Sequence, residues 1–560
     1  MSSNPSSVPN QILTALGLTA LFNALFPWLL SFQGLVHGWD VSIRTVGKGW
    51  AIILFMLAIA ILTVPSVVDH LCRIAADLDA LRPPESTRFI IICTAYYALG
   101  IASHKLRAQY TLGTHAFDLG FFSNICWNTL HGNWFYSSIL ERNFMAIHVN
   151  WILWPLSALY TLRLGASILL VAQAAFVSAA IPFLWLTVKD ITGSFSAGGL
   201  ASLLFVCSPV VGQHIANDFH PDSWQLPCLM SALWFWRHGR GQAMLAACAL
   251  ALLAKEDVSF VLSGFAVFLI LRRENGTLGW ELLLISVGVF LFHTQVFIPK
   301  FLNTNAKSVL FFRYRFLGNS YGEMLTNLVR NPSVYAKAFA YQPVKYWRFL
   351  KYTLPALGLV FLDPLFLVPP VISVLPHLLS QAQTQLNLAD IYAIPSLPFI
   401  FVGSAFGFSR LWGSGRWRGH EPKFAAICLM VAAIGIMNSP RFFEGESTDR
   451  LKAFYEIKKL VPPDVSMAAQ QNLLPHFDDR RTIQIFPIGI SMPALQTRFL
   501  TNPEYVVCDR VGNALPYNRK DLMKGITDLE ANPSYQKAFE KVNFILFKRR
   551  PEPERWIESQ

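Results

Sequence analysis

The side chains in this sequence that could do chemistry are few, and they fall in three runs. In the stretch from Thr114 to Gly132, Asp118 is the single carboxylate, set between Phe117 and Leu119. The same segment supplies His115, Asn124, Asn128 and His131, and it continues to Glu141, Arg142, Asn143 and His148. The second run, QHIANDFHPD, adds His214, Asn217, Asp218, His220 and Asp222. The third, AKEDVS, adds Lys255, Glu256 and Asp257. A carboxylate among aromatics suits a general base, because partial desolvation raises its pKa toward neutrality. Lys255, and Arg313 and Arg315 in FFRYRF, are the cations that could meet an anionic group. His220 and Asp222, with Asp118 or His148, have the donor types for a divalent ion such as Mg or Mn, and could equally be polar positioning groups.

Plainer roles compete with these. Asp257 could cap the helix that begins at Val258. Lys255 could anchor a span at the interface. The dipeptide His220-Pro221 reads as a turn that starts a helix. His131 reads as a loop residue. Trp127, Trp134, Phe135, Tyr136 and Trp151 could stack on a ligand ring, yet aromatic belts mark any membrane interface.

The elements that must position these residues are mostly membrane spans. Of 560 residues, 53% are hydrophobic and 14% charged, against about 25% charged in soluble globules. Mean hydropathy is +0.39. The chain therefore reads as an α-helical polytopic membrane protein whose partner is the lipid bilayer. The net charge of +12 does not indicate nucleic acid, because the basic residues sit in short loops between apolar runs. The eight cysteines show no metal-ligand spacing, and the N-terminus lacks the basic region of a cleaved signal peptide.

Apolar runs predict about thirteen spans, near 12–33, 50–70, 88–105, 165–188, 196–212, 223–237, 241–254, 258–272, 280–298, 352–363, 365–380, 391–411 and 424–438. Asp363-Pro364 breaks the pair near 352–380, which could be one kinked or re-entrant unit. With the N-terminus cytoplasmic, the inside loops hold Arg73, Arg82, Arg88, Lys189, Arg237, Arg240, Arg272, Arg273, Arg416, Arg418 and Lys423. That bias puts the segments 106–150 and 299–350, and the tail from about 440, outside a plasma membrane. The tail has strand-like runs at Tyr505–Cys508 and Val542–Phe547, and helix-like pieces around Asp449–Leu460 and Arg519–Lys541. It reads as a small extracytoplasmic α/β domain over 439–560. Residues 86–438 form the transmembrane core, and 1–85 an additional hairpin.

The stretches FDLGFFSNICWNTLHG, AIHVNWILWPLSALY, NDFHPDSWQLP and AKED resemble a family of bacterial integral membrane proteins. A more distant match runs through LPHLLS and the Tyr392-containing IYAIPSLPF, and the tail segments LVPPDVSMAAQQNLLPHFDDRRTIQIFP and EYVVCD also resemble the family pattern. That family is grouped with the GT-C glycosyltransferases, which use polyprenyl-phosphate-linked sugars. The resemblance implies a GT-C-like core that transfers a sugar from a polyprenyl-phosphate-linked donor to an unknown acceptor on the extracytoplasmic face. It carries a first-loop acid onto Asp118 alone. The paired acids common in that superfamily are missing, since Leu119 and Gly120 follow Asp118, so a second acid would come from Asp222 or Glu256. On this reading Asp118 is the general base, and His115, Asn128, His148, Lys255, Glu256, Arg313, Arg315 and Tyr392 contact substrate. Two other functions compete. A transporter or flippase would show inverted repeats and midplane charges, and no clear repeat is present. A non-catalytic scaffold would leave the Asp and His residues scattered.

Overall fold

The computed structural model describes residues 43–551 except 275, 303–310, 342, 381, 383–384, 386–389, 416, 418, 440–445, 488–501, 513 and 515–517. The expected span at 12–33 lies outside these residues. The chain divides into two compact units. One comprises Met1–His104, Met145–Ile152 and Ala172–Phe442. The other comprises Lys105–Phe144, Leu153–Val171 and Phe443–Gln560. Most of the first long polar segment therefore belongs to the same unit as the C-terminal tail.

The first unit is a helical bundle. Five helices among the described residues are long and apolar enough to cross a membrane: Pro83–Tyr110, Ser167–Thr192, Gly276–Phe301, Ile394–Gly413 and Glu421–Asn438. Two bent pairs raise the number to seven, Gly49–Thr63 with Pro65–Asp79 at 109° and Phe195–Val206 with Pro209–Ala216 at 50°. Both bends fall where a proline opens the second helix, which it can do because the first-turn N–H needs no partner. The remaining expected spans are shorter. Gln225–Arg237 and Val258–Arg272 have 13 and 15 residues and are buried along most of their length, as apolar helices of that size in a packed interior are. Residues 352–363 do not form a span. They end one short helix and continue as 3-10 turns at Leu354–Ala356 and Leu359–Leu362, followed by Pro364–Leu367 and then the helix Val368–Leu379. Asp363 at that break is buried and meets Arg272 at 3.1 Å and Arg410 at 3.0 Å.

The core of this unit is aromatic and aliphatic, with Phe205, Phe265, Phe268, Phe366 and Phe399 fully buried. Gly264 allows one close helix approach in it. A Cβ there would lie 2.5 Å from the Pro369 backbone, so only glycine lets Val258–Arg272 pack on Val368–Leu379.

The second unit contains the helix Phe121–Leu130, a two-residue ribbon β1 (Tyr136–Ser137) and β2 (Arg142–Asn143), and an α/β layer. Its sheet runs β4 (Ile483–Ile485), β3 (Met467–Ala469), β5 (Tyr505–Asp509), β7 (Phe544–Arg549), β6 (Tyr535–Lys541). The β3 strand is parallel to β4 and β5, and the β5–β7 and β7–β6 pairs are antiparallel. The helix Thr448–Leu460 precedes its strands in sequence, and Arg519–Ala531 lies between β5 and β6. The expected helix to Lys541 stops ten residues early, because Pro533 forces the residue before it out of the helical region: Asn532 has φ −78°, ψ 115°. Polar bonds tie the first polar segment to this layer. Asn124 Nδ2 donates to the Arg480 carbonyl at 3.1 Å, and Ser138 Oγ donates to the Ile483 carbonyl at 3.1 Å.

Candidate functional site

Two constellations hold the candidate residues, one in each unit. In the helical unit, the segment His148–Ile152 is laced to the turn Leu253–Glu256. The Val149 N–H donates to Glu256 Oε2 at 2.9 Å, Asn150 Nδ2 donates to the Ala254 carbonyl, and the Ile152 N–H donates to the Leu253 carbonyl at 2.9 Å. His148 Nδ1 completes the join, 2.7 Å from Glu256 Oε1. The motifs AIHVNW and AKED are thus one structural unit although 108 residues separate His148 from Glu256.

Lys255 is buried beside this join, its Nζ 3.2 Å from Asp257 Oδ2 and 5.8 Å from the Tyr392 ring centroid. Asp257 stands at the N-cap position of the following helix but makes no capping bond; its side chain goes to Lys255. Asp222 is also buried. It pairs with His220 and accepts from Gln225 Nε2 at 2.8 Å. His214 Nε2 lies 2.7 Å from Ser223 Oγ, whose hydroxyl donates to the His220 carbonyl at 2.9 Å.

These ionised groups hold one another charged. Burial pushes the Glu256 carboxyl up, but the His148 pair, Lys255 and the Val149 N–H outweigh it and bring it down to about 2. For Asp222, burial is outweighed by Lys255 and His220, which hold it well below the usual carboxylate range. For Lys255, burial is outweighed by Asp222 and Asp257, so its ammonium is held above the usual lysine range. Asp257 goes the other way: burial raises it, and Asp222 and Glu256 add to the rise against Lys255. A buried charge survives only if paired and hydrogen-bonded. Here the charges come from three separate chain segments, around His148, Asp222 and Lys255.

In the second unit, Asp118 is exposed and sits at φ 69°, ψ −88° in the turn Ala116–Gly120. The desolvation expected from Phe117 and Leu119 is therefore not realised. His115 beside it is half-buried. Asn128 is fully buried and donates to Asn124 Oδ1 at 3.2 Å, which gives it a packing role. Phe135 is buried too, while Trp134 and Trp154 are exposed and stack at 6.2 Å.

Among the candidate contacts of the helical unit, His148, Glu256, Lys255 and Tyr392 come together, with His220 and Asp222 in the same charge network. Arg315 is exposed and Arg313 half-buried. Among the described residues no group of three His, Cys, Asp or Glu side chains could hold a metal ion. All eight cysteines are free thiols.

Sequence reasoning missed three groups. His377 packs on Tyr392, ring centroids 4.4 Å apart; its only signal was a place in LPHLLS. Gln225 was hidden in a helix start. Asp478, in HFDDRR, is buried next to Ser123, whose hydroxyl lies 2.5 Å from the Tyr160 hydroxyl. Burial, reinforced by Asp479, pushes the Asp478 carboxyl up to about 8.

The family model described as "Predicted membrane protein (DUF2079)" matches residues 108–546. The chain belongs to this family. The family region takes in both the Asp118 turn and the Lys255 cluster, together with nearly all of the α/β layer. The chain is also similar to two crystal structures of ArnT from Cupriavidus metallidurans, one bound to undecaprenyl phosphate and one in the apo state. Each has a TM-score of 0.45, at 11% and 13% identity respectively, covering 82% of this chain and 97% of that chain. No curated protein sequence matches it.

Proposed function

We propose that this DUF2079 protein is a membrane glycosyltransferase that moves a sugar from a polyprenyl-phosphate-linked donor to an acceptor at the extracytoplasmic face. The observation that carries the reading is the Lys255 cluster: a buried ammonium between carboxylates, at a turn between apolar helices. Ionised groups so placed in a membrane protein are costly to keep and are retained at working sites. A lipid carrier suits such a site, because an extracytoplasmic compartment holds no nucleotide sugars.

Asp118 takes the proton from the acceptor hydroxyl. That oxygen forms the new bond to the sugar's anomeric carbon from the opposite face, with oxocarbenium-like charge in the transition state. The bond from the anomeric carbon to the carrier's phosphate oxygen breaks, and its electron pair leaves with the polyprenyl phosphate. For the carrier's phosphate the helical unit offers two candidate cations, Lys255 and Arg313. Glu256 and His148 keep the Lys255 turn in place. The clustering of His148, Glu256, Lys255, Asp222, His220 and Tyr392 argues against a scaffold in which such residues lie scattered.

The test is binding of undecaprenyl phosphate to the protein in nanodiscs, read by native mass spectrometry. The wild type is expected to retain the lipid, and Lys255→Met to retain at least tenfold less. Equal retention by both would overturn the phosphate role of Lys255. Should Lys255→Met fail to fold, Arg313→Gln is read the same way. Passage of the lipid across vesicles without sugar transfer would favour the flippase reading.

A further inference from the structure

Asp118 has the backbone of a three-residue turn that is rare and strained for a residue with a side chain. Such a conformation persists only where its surroundings over-determine it. Those surroundings come from the C-terminal tail. The Ala116 N–H donates to the Gln471 carbonyl at 2.7 Å. Gln109 Nε2 donates to the Pro475 carbonyl at 3.2 Å, and the Oε1 of the same amide accepts from the Thr114 hydroxyl. A Cβ on Gly120 would lie 2.8 Å from Leu474 Cδ2, so the Leu474 side chain would have to shift to admit it. The Gly120 N–H closes the turn on the His115 carbonyl at 3.1 Å.

Contacts on both sides of Asp118 thus converge on one short stretch, Gln470–Pro475. That stretch is itself fixed. The Leu474 N–H donates to the Gln470 carbonyl at 2.9 Å, and Gln470 Oε1 accepts from the Asp509 N–H at the end of β5. The path runs from sheet to turn to Asp118.

We infer that the C-terminal α/β region is a positioning element for the Asp118 turn, with Gln109, Gly120 and Leu474 as the positioning residues. The region then sets where the carboxylate points. This rests on the reading of Asp118 as the base, and it uses hydrogen bonds and packing that exist whatever the reaction is.

The experiment is a size-exchange cycle in the full chain, with Gly120→Ala, Leu474→Ala and the double variant. Two readouts are taken: amide hydrogen exchange of the peptide spanning 114–121, and kcat and KM for sugar transfer from polyprenyl-phosphate-linked donors. Gly120→Ala is expected to speed exchange in that peptide and to lower kcat at least tenfold with KM unchanged. Leu474→Ala in the Gly120→Ala background is expected to restore both, because it clears the space the new methyl needs. Unchanged exchange and kcat in Gly120→Ala, or no recovery in the double variant, would overturn the inference. Accelerated exchange that the double variant reverses, in a protein whose wild type transfers no sugar, would uphold the clamp and remove the transferase reading. Should Gly120→Ala not accumulate, Gln109→Met, which cuts the tie to Pro475, is read by exchange in the same way.

Discussion

The Lys255 cluster and the Asp118 turn solve opposite problems. In the cluster the side chains are buried and the charges position one another: His148 on Glu256, His220 on Asp222, Lys255 on Asp257. At the turn the side chain is exposed and the backbone is what is held, by the Gln471 and Pro475 carbonyls and the Leu474 side chain. The difference separates stability from activity. Changing a side chain in the cluster should damage the fold, because an unpaired buried charge is left behind. The Asp118 side chain is exposed, so changing it should cost the fold less.

Lys255→Ala gives the largest stability effect. It strands Asp222 and Asp257, and breaking a buried pair in this way costs about 3–5 kcal/mol. Thermal unfolding in detergent should show it, and a variant as stable as wild type would mean that the cluster is wetter than its burial implies. Glu256→Gln is next, because it weakens the join to His148 and Val149 at a cost of about 1–3 kcal/mol.

The same carboxylate sets an acid dependence. Its folded pKa lies below its unfolded value, so its contribution is complete above the unfolded value, near 4.5, and is lost as pH falls toward about 2. Stability of wild type and Glu256→Gln should therefore converge across that window. Parallel curves would contradict the pairing.

Asp478 has the opposite sign. Its folded pKa is raised to about 8 from 3.8, so the folded form binds the extra proton and wild type loses stability as pH rises between those values. Asp478→Asn should unfold at a higher temperature than wild type above pH 8, with the gap closing toward pH 4. The smallest effect is Asp118→Gly. Glycine accepts positive φ without the side-chain penalty, so the gain is about 0.5–1 kcal/mol. A loss of stability would mean that the Asp118 side chain, and not its backbone, holds the turn.

Parts of this were legible in the residue string and parts were not. Short apolar runs such as YVVC and VNFILF read as strands because their length and β-branched and aromatic content leave few alternatives, and β5 and β7 lie there. The edge strand β6, YQKAFEK, has mostly exposed side chains, so nothing apolar distinguished it from a continuing helix. The three short motifs around Asp118, His220 and Lys255 stood out by residue type. Their pairing did not, because His148 and Glu256 meet through tertiary packing that no local period encodes. HFDDRR is charged along most of its length, yet Asp478 and Arg480 are buried. Burial there is a product of long-range docking within the unit, with Asn124 and Ser138 as its contacts.

The central claim is that Asp118 does chemistry which the fold does not need for stability. The direct measurement is transfer of radiolabelled sugar from polyprenyl-phosphate-linked donors to cell-envelope acceptors, by wild type and Asp118→Asn of matched melting temperature. Wild-type transfer, with a loss of about 10²–10⁴-fold in Asp118→Asn, is the predicted result. Transfer by Asp118→Asn at the wild-type rate would contradict it.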